Sequence, residues 1–348
     1  MTAKLRYVVH TAPAAGNVKE LAPDLFWAWF PLPFRLNHVN VWLLKETDGW
    51  TVIDTGCDTS AIRAAWETLL AGPMAKRPIR RLIATHGHVD HIGLAGWLVK
   101  RFDAEFAGTF AEWVWARLSH MHDVPDSNAA HLRFLLRHGF EISAADAMVR
   151  SRERFINLAQ PIPGAITEIR DGQSVRFGDR DWRVIVTRGH ANEHAAFYCA
   201  RDNILIVGDH LLPSISPVIA VSEMTPESDP LGDYLASFAQ FDEVPDDALV
   251  LPSHGQPYRG IRTRIAELRT HHITRLNAVL DLSQRPRNAF ELASALFPHV
   301  DGAENVGFAL GETLAHVNHL VRLGKMAQHT DGSGKLTFTA CYTASAQS

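Results

Sequence analysis

A short histidine-rich segment, residues 85–93, reads T-H-G-H-V-D-H-I-G and carries four side chains of the types that bind metal ions. These side chains are His86, His88, Asp90 and His91. The segment follows an apolar stretch that predicts a strand, and it precedes a helical pattern. Alternate residues of an extended chain point the same way, so His86 and His88 can bind one ion. Asp90 and His91, at the start of the predicted helix, would then face a second ion.

Side chains of the same types recur farther along the chain, each at the end of a predicted strand. They are Asp54, His190, Asp209 and His254. Loops at the strand ends of an α/β sheet carry many binding and catalytic residues, so we expect these positions to converge on one site. Histidine, the commonest metal ligand among side chains, accounts for 19 of the 348 residues. The pattern favours a metal-dependent protein over a purely structural one.

The hydrophobic pattern alternates between strand and helix periodicities along the chain. Two strand patterns flank a turn within residues 38–54, and an amphipathic helix is expected from Asp58 to about Gly72. Residues 109–160 show helical patterns and predict a helical insertion that would serve as a lid. Strand patterns return within residues 166–213. This order predicts a mixed α/β (α+β) fold.

The chain changes character beyond residue 284. Two helical segments, 289–296 and 305–323, precede two strand patterns around a D-G-S-G turn, which predicts a small winged-helix-like module. We therefore predict a core domain over residues 1–284 and an appendage over residues 285–348. Apolar residues at helical spacing in the appendage leave a homodimer open.

The composition excludes several classes of protein. Thirty-four basic and 38 acidic side chains give a net charge of −4, which argues against nucleic acid as the main partner. No window approaches the roughly 18 consecutive apolar residues of a membrane span. The N-terminus lacks the apolar region and cleavage site of a secretion signal. The three cysteines make no disulfide framework. We therefore expect a cytoplasmic protein without a membrane partner.

The order of the candidate residues resembles that of the metallo-β-lactamase superfamily over residues 25–256. The series reads Asp54, H-x-H-x-D-H at residues 86–91, His190, Asp209 and His254. The tail is similar to the C-terminal module of a glyoxalase-II-like branch of that superfamily. The resemblance implies a four-layer αβ/βα sandwich with two divalent metal ions. Zinc is the expected metal, with iron or manganese as alternatives, because the second site has a carboxylate in place of a thiolate.

The resemblance also implies a role for each of these side chains. The first ion would be held by His86, His88 and His190. The second would be held by Asp90, His91 and His254, and Asp209 would bind both ions. Asp54 and His194 would lie behind the ligands and orient them.

Two divalent ions close together can lower the pKa of a bridging water, and Asp90 would orient the resulting hydroxide. The sequence contains no separate motif for a general acid, so a leaving group that departs without protonation, such as a thiolate, is favoured. We therefore predict a hydrolase for a small thioester, ester or lactone. A phosphodiesterase or endoribonuclease is the alternative, because a basic run follows His254. A further alternative is β-lactam hydrolysis as a weak side activity.

Two segments near the expected site leave alternatives open. Residues 25–34 contain five aromatic side chains, which either fill a strand core or place Trp29, Phe30 and Phe34 at the mouth of a pocket. His38, which follows them, either belongs to the core or surface or reaches that mouth. The loop at residues 187–194 reads T-R-G-H-A-N-E-H where many relatives have T-P-G-H-T-P-G-H, so it does not identify the substrate.

Overall fold

The computed structural model describes residues 4–34, 36–120 and 126–341. Its strands, in chain order, are β1 (Arg6–Tyr7), β2 (Val18–Ala22), β3 (Leu25–Pro31), β4 (His38–Lys45), β5 (Trp50–Ile53), β6 (Ile79–Ile83), β7 (Glu105–Gly108), β8 (Thr167–Glu168), β9 (Ser174–Phe177), β10 (Arg180–Thr187), β11 (His194–Cys199), β12 (Ile204–Gly208), β13 (Leu249–Pro252), β14 (Tyr258–Arg259), β15 (Met326–Thr330) and β16 (Leu336–Ala340). Its helices are α1 (Ser60–Ala71), α2 (Val89–Ile92), α3 (Ala95–Phe102), α4 (Phe110–Ser119), α5 (Ser127–Arg137), α6 (Ile142–Ile156), α7 (Pro230–Ser237), α8 (Ile261–Leu282), α9 (Ala289–Leu296) and α10 (Ala303–Arg322). A short 3-10 helix, Phe238–Phe241, follows α7.

Most of the strands form two seven-stranded sheets. One sheet has the order β2-β3-β4-β5-β6-β7-β8, and its strands β5 to β8 run parallel. The other has the order β1-β14-β13-β12-β11-β10-β9, with β12 and β13 parallel. Strands β15 and β16 form a separate antiparallel pair. The hairpin predicted within residues 38–54 is confirmed, because β4 and β5 pair antiparallel.

The two large sheets pack face to face. The core between them contains bulky buried side chains from both sheets, such as Trp42 from the first and Trp182 and Phe197 from the second. Helices α1 and α3 cover the outer face of the first sheet, where Trp66 and Leu98 are buried. The 3-10 helix packs on β10 of the second sheet. The predicted αβ/βα sandwich is confirmed.

Strand β4 shows why the central strands read as continuous apolar runs. Val41 and Leu43 point to the helices, whereas Trp42 and Leu44 point to the other sheet. Successive side chains of a strand alternate between its faces, so a strand that is buried on both faces needs apolar residues at nearly every position. Asn40 is the polar exception, and it is completely buried.

The chain divides into two compact units. The first comprises Met1–His122, Arg154–Pro217 and Phe238–Ala266, and it contains both large sheets. The second comprises Asp123–Glu153, Val218–Ser237 and Glu267–Ser348. The units are therefore built from interleaved segments, and the domain boundary after residue 284 stays a prediction.

The second unit contains the elements predicted for the tail. Helices α9 and α10 pack together and precede the pair β15 and β16. Helix α9 begins at a capping box, in which the Asn288 side chain accepts from the Glu291 backbone N–H and the Glu291 side chain accepts from the Asn288 N–H. Residues 342–348 of the predicted appendage lie outside the described residues. None of the described helices is both long and apolar enough to cross a membrane.

Two details differ from the sequence expectations. Strand β7 was not expected, because its four residues are too few for a clear alternation. The helical pattern of residues 258–282 predicts a long helix, but α8 begins only at Ile261, since Tyr258 and Arg259 pair with β1. The insertion predicted at residues 109–160 contains α4, α5 and α6, although residues 121–125 lie outside the described residues.

Candidate metal centre

The predicted ligands come together in the first unit, each at the end of a strand or on the short helix α2. Asp54 follows β5, His86 and His88 follow β6, Asp90 and His91 lie on α2, His190 follows β10, Asp209 follows β12, and His254 follows β13. The parallel strands β5 and β6 end side by side, as do β12 and β13, so their loops meet. The convergence expected from the sequence is therefore present.

Gly87 allows helix α4 to lie directly on the metal-binding loop. A Cβ at this position would lie 2.7 Å from the carbonyl oxygen of Glu112 and 3.0 Å from the ring of Trp115. From the sequence alone, a glycine between two histidines predicts a tight turn. The structure shows instead that the absence of a side chain is needed for the close approach of a helix.

Three histidines form the first group of candidate ligands. The His86 Nε2 atom lies 2.9 Å from His88 Nδ1 and 3.2 Å from His190 Nε2. These three nitrogen atoms are close enough together to hold one metal ion. His88 is half-buried, and its ring meets the edge of the Trp115 ring at a centroid distance of 5.2 Å.

The second group consists of Asp90, His91 and His254. Asp90 Oδ2 lies 3.5 Å from His91 Nε2 and 3.3 Å from His254 Nε2. Asp209 faces both groups, because its Oδ2 atom lies 3.3 Å from His254 Nε2 and 3.5 Å from His190 Nε2. The arrangement places one carboxylate oxygen between two sets of ligand atoms.

Several ligand atoms of the centre have no hydrogen-bond partner among the described residues. The Nε2 atoms of His91 and His254 and the Oδ1 atom of Asp209 are buried and make no hydrogen bond. Buried polar atoms are almost always paired, so their common direction calls for a further group between them. Imidazole nitrogens with carboxylate oxygens form a donor set that suits zinc, iron or manganese. The residues therefore fit a metal ion.

Asp54 orients two of the histidines from behind. Its carboxylate accepts from His91 Nδ1 at 2.8 Å and from the backbone N–H of Thr85 at 2.8 Å. The Thr85 hydroxyl donates to Asp54 at 2.8 Å, so it accepts from His86 Nδ1 at 3.1 Å. Each ring therefore donates through Nδ1 and turns its Nε2 toward the candidate metal site. The position of Asp54 agrees with its predicted orienting role.

His254 is oriented by the backbone of the first sheet. Its Nδ1 donates to the carbonyl of His38 at 2.5 Å, which turns Nε2 toward Asp90 and Asp209. His38 itself is fixed, because Nε2 accepts from the Gly255 N–H at 2.7 Å and Nδ1 donates to the side chain of Asn37 at 2.7 Å. Burial, with the nearby His254, lowers the pKa of His38 to about 4. His38 is thus neutral and holds the loop.

The pKa values of the histidines are shifted in opposite directions in the two ligand groups. Burial lowers the pKa of His86, and it lowers that of His88 to about 3. Burial also acts to lower the pKa of His254, but Asp209 and Asp90 raise it to about 10. Burial acts to raise the pKa of both carboxylates, and the neighbouring imidazoles hold it below the ordinary value. The centre thus retains ionised carboxylates that can balance a bound cation.

His194 lies behind Asp209 and outside the candidate ligand groups. It is completely buried at the start of β11, and its Nε2 accepts from the backbone N–H of Asp209 at 3.1 Å. Gly208 adopts φ +50°, and a Cβ there would lie 2.2 Å from His194 Nε2. The contact agrees with the predicted orienting role of His194, which stays a prediction.

Sequence reasoning missed two residues that support the site. The Asn40 side chain donates to the carbonyls of Pro252 and Gly255, each at 2.8 Å, and so ties β4 to the loop of His254. Glu112, on α4, accepts hydrogen bonds from backbone N–H groups of two ligand-bearing loops. Asn40 stands out in an apolar strand and could have been noticed. Glu112 carries no such signal, because its partners are known only from the fold.

The aromatic segment divides between the two interpretations that the sequence left open. Phe30 is completely buried and packs on Trp66 at a centroid distance of 5.1 Å, as expected for a core residue. Trp29 is half-buried and stacks on the His38 ring at 5.7 Å. Because His38 is bonded to the loop of His254, Trp29 is connected to that loop through His38.

The chain is similar to known proteins over nearly its whole length. Residues 35–256 match the family Metallo-beta-lactamase superfamily, and residues 276–341 match the family Metallo-beta-lactamase-like, C-terminal domain. The probable metallo-hydrolase YqjP of Bacillus subtilis (strain 168) is 28% identical over 315 residues, which cover 87% of this chain and 94% of that protein.

Two solved structures share the architecture. A beta-lactamase domain protein from Burkholderia ambifaria has 35% sequence identity and a TM-score of 0.89, covering 97% of this chain and 98% of that one. A metallo-beta-lactamase family protein from Thermus thermophilus has 30% identity and a TM-score of 0.78, covering 92% and 100%. With a family match over more than half of its length, the chain belongs to the metallo-β-lactamase superfamily of metal-dependent hydrolases.

Proposed function

We propose that the protein is a dinuclear metal-dependent hydrolase of small thioesters, esters or lactones. The position of Asp209 carries the proposal. Its Oδ2 atom lies within 3.6 Å of the Nε2 atoms of three histidines that belong to two ligand groups. A carboxylate in this position can bind two ions at once, and a mononuclear site would not need it.

The chemistry follows from the donor set. Two divalent ions, when bound, supply an activated water and polarise the substrate carbonyl. His86, His88 and His190 would hold one ion, and Asp90, His91 and His254 the other. The Asp90 carboxylate lies at the second group and has a pKa below its ordinary value. Because it stays ionised, it can orient the attacking water by accepting a hydrogen bond from it.

The surroundings of the centre favour a leaving group that needs no proton. Both ring nitrogens of His38, the imidazole next to His254, are already engaged, and its low pKa keeps it neutral. It cannot serve as a general acid. A thiolate or an activated alkoxide departs without protonation, whereas an amide nitrogen does not. This supports thioester, ester or lactone hydrolysis, with β-lactam hydrolysis as a weak side activity.

The basic run after His254 gives little support to the alternative of a nuclease. Arg262 pairs with Asp242 at 3.3 Å. Arg264 is buried, and its guanidinium donates to the backbone carbonyls of Leu212 and Ile215. A buried guanidinium such as that of Arg264 is not available to phosphate groups, and an ion pair such as that of Arg262 reduces the positive charge of the run. We therefore place a phosphodiesterase or endoribonuclease second.

The finer parts of the assignment belong to the same proposal. They are zinc as the native metal, with iron or manganese as alternatives, a glyoxalase-II-like ancestry, a winged-helix-like module at residues 285–348, a lid formed by residues 109–160, and a small acyl compound as substrate. The match of residues 276–341 to a metallo-β-lactamase-like C-terminal domain supports a distinct module in the tail.

A substrate panel on protein of known metal content tests the proposal. We expect a thioester to be hydrolysed faster than the matching oxygen ester, and the matching amide to be slowest. Because a small acyl thioester makes few phosphate contacts, its KM should change little between about 50 and 200 mM salt. RNA binding would instead weaken steeply, with a log–log slope near −0.7 for each phosphate contacted.

The control uses the exposed part of the basic run. Replacement of Arg269, which is exposed, by Gln should leave thioester turnover unchanged. Strongly salt-dependent RNA cleavage without measurable thioester, ester or lactone turnover would overturn the proposal and establish the alternative.

A further inference from the structure

We propose that Glu112 is a positioning residue that determines the metal affinity of the three-histidine group. The inference deepens the proposed dinuclear centre and rests on it, but it does not depend on the identity of the substrate. Glu112 is the third residue of α4, and 4% of it is exposed. It belongs to neither ligand group.

The Glu112 carboxylate is bound by backbone groups alone. One oxygen, Oε2, accepts from the N–H of Gly87 at 2.9 Å. The other, Oε1, accepts from the N–H groups of Asn192 and Glu193 at 2.7 and 3.0 Å. Among the described residues, no lysine or arginine forms an ion pair with it. A buried carboxylate without a cation is costly unless its hydrogen bonds are good, so this arrangement holds its partners firmly.

These backbone partners lie in the two loops that carry the three histidines. Gly87 stands between His86 and His88, and Asn192 follows His190 by two positions. One carboxylate thus spans the two loops, with one oxygen on each. The Thr109 hydroxyl adds a second link, since it donates to the carbonyl of Glu193 at 2.7 Å. Both links come from the start of α4.

The second ligand group has no such connection to Glu112. Asp90 and His91 lie on α2, and His91 and His254 are oriented by Asp54 and the His38 carbonyl. Removing the Glu112 carboxylate should therefore weaken one ion-binding group and leave the other nearly unchanged. This selectivity separates a positioning role from a general contribution to stability.

The test replaces the carboxylate with its isosteric amide. In Glu112→Gln the amide NH₂ must face at least one backbone N–H, so one link between the loops becomes repulsive. Zn²⁺ binding to the metal-free protein, measured by competition with a chelator, should resolve two phases in the wild type. We expect Glu112→Gln to weaken one phase by about 10–100-fold and to change the other by less than about threefold. The weakened phase should be the one that His88→Ala abolishes.

A second measurement does not involve metal. Hydrogen exchange of the Gly87, Asn192 and Glu193 amides in the metal-free protein should be faster in Glu112→Gln than in the wild type. The matched control is Glu105→Gln, because the Glu105 carboxylate pairs with Arg81 at the surface and touches neither loop. Its metal-binding phases and the exchange of the three amides should be unchanged.

The outcomes distinguish this inference from the proposed function. A wild-type protein that binds no metal contradicts the dinuclear centre itself. Two phases in the wild type that remain unchanged in Glu112→Gln, or that weaken equally, overturn only the role of Glu112. If Glu112→Gln does not fold, Glu112→Asp, which keeps the charge but cannot reach both loops, serves instead. A folded Glu112→Asp protein with unaltered phases would also overturn the inference.

Discussion

Both compact units contain buried histidines, but the partners of these histidines differ. In the metal centre, the imidazoles of His91 and His254 face carboxylates at 3.3–3.6 Å. In the second unit, His272 and His316 face each other at 3.2 Å, and His316 Nδ1 donates to the backbone carbonyl of Glu312. The Tyr234 ring meets His272 at a centroid distance of 5.5 Å.

The comparison shows that burial of histidines does not by itself make a metal site. The His316 ring donates through Nδ1 and accepts through Nε2, so its hydrogen bonds are complete. Within the described parts of the chain, no group of three candidate ligand atoms includes His272 or His316. In the centre, in contrast, the Nε2 atoms of His91 and His254 make no hydrogen bond and lie beside carboxylates. A cation is needed only where lone pairs and negative charge converge.

Removing a ligand of the centre should have the largest effect. We expect His88→Ala and His190→Ala each to reduce the bound metal from about two ions per chain toward one and to lower kcat/KM by about 1,000-fold or more. The two imidazoles that remain cannot complete the coordination shell of the ion that three imidazoles would bind. Elemental analysis and steady-state kinetics measure the loss. The exposed His329 is the control, and His329→Ala should keep both values. If the His190→Ala protein kept its full metal content and full activity, the metal centre would not lie at these residues.

Asp90→Asn should have the next largest effect. The amide keeps the volume of the side chain but can neither balance the second ion nor accept a proton, so we expect kcat to fall by about 100-fold or more with the fold intact. Circular dichroism and kinetics at saturating metal provide the measurement. Asp48→Asn, at an exposed carboxylate, should be neutral. Unchanged turnover of a metal-loaded Asp90→Asn protein would show that the catalytic carboxylate is another one.

Asp54→Asn should have an intermediate effect, because Asp54 acts through the ligands. Its two oxygens accept from Thr85 and His91, and an amide cannot accept at both ends. We expect metal affinity to fall by about 10–100-fold, measured by chelator competition. Recovery of full activity at high metal concentration is expected for an orienting residue. An affinity equal to that of the wild type would contradict the role.

The histidine pair of the second unit should affect acid stability and leave metal binding unchanged. Burial lowers the pKa of His272 to about 3 and that of His316 to about 4. The unfolded chain takes up these protons near pH 6.5 and the folded chain only near pH 3–4. The unfolding free energy should therefore fall as the pH drops below about 6.5, by about 1.4 kcal/mol per pH unit for each histidine.

His272→Leu tests this expectation. Its unfolding free energy, measured with urea between about pH 6.5 and 4.5, should depend less steeply on pH than that of the wild type. Its metal content at neutral pH should be unchanged. The difference in slope between the two proteins is the readout, because acid also protonates the metal centre in both. Equal slopes would show that His272 is not neutral in the folded protein.

Sequence alone identified the candidate ligands because their pattern is local. Four of the seven lie within residues 86–91, and the others directly follow apolar runs that read as strands. The same local logic predicted the hairpin of β4 and β5 and the sandwich itself, since strands buried on both faces need continuous apolar runs. It could not find the four-residue strand β7, whose pairing with β6 and β8 stabilises a segment that is too short to show a period.

What only the tertiary structure decided is how each ligand is held and which polar groups are left for function. Glu112 meets Gly87 across 25 positions and Asn192 across 80, and Asn40 meets the loop of His254 across more than 200. The fold also directs Arg264 to backbone carbonyls and so removes it from the basic surface that its sequence suggested. The types and spacing of residues determine which helices and strands form and which functional side chains the site can contain. Hydrogen bonds between distant segments exist only once the sheets have packed, so the partner of a carboxylate or guanidinium follows from the fold and not from its neighbours in sequence.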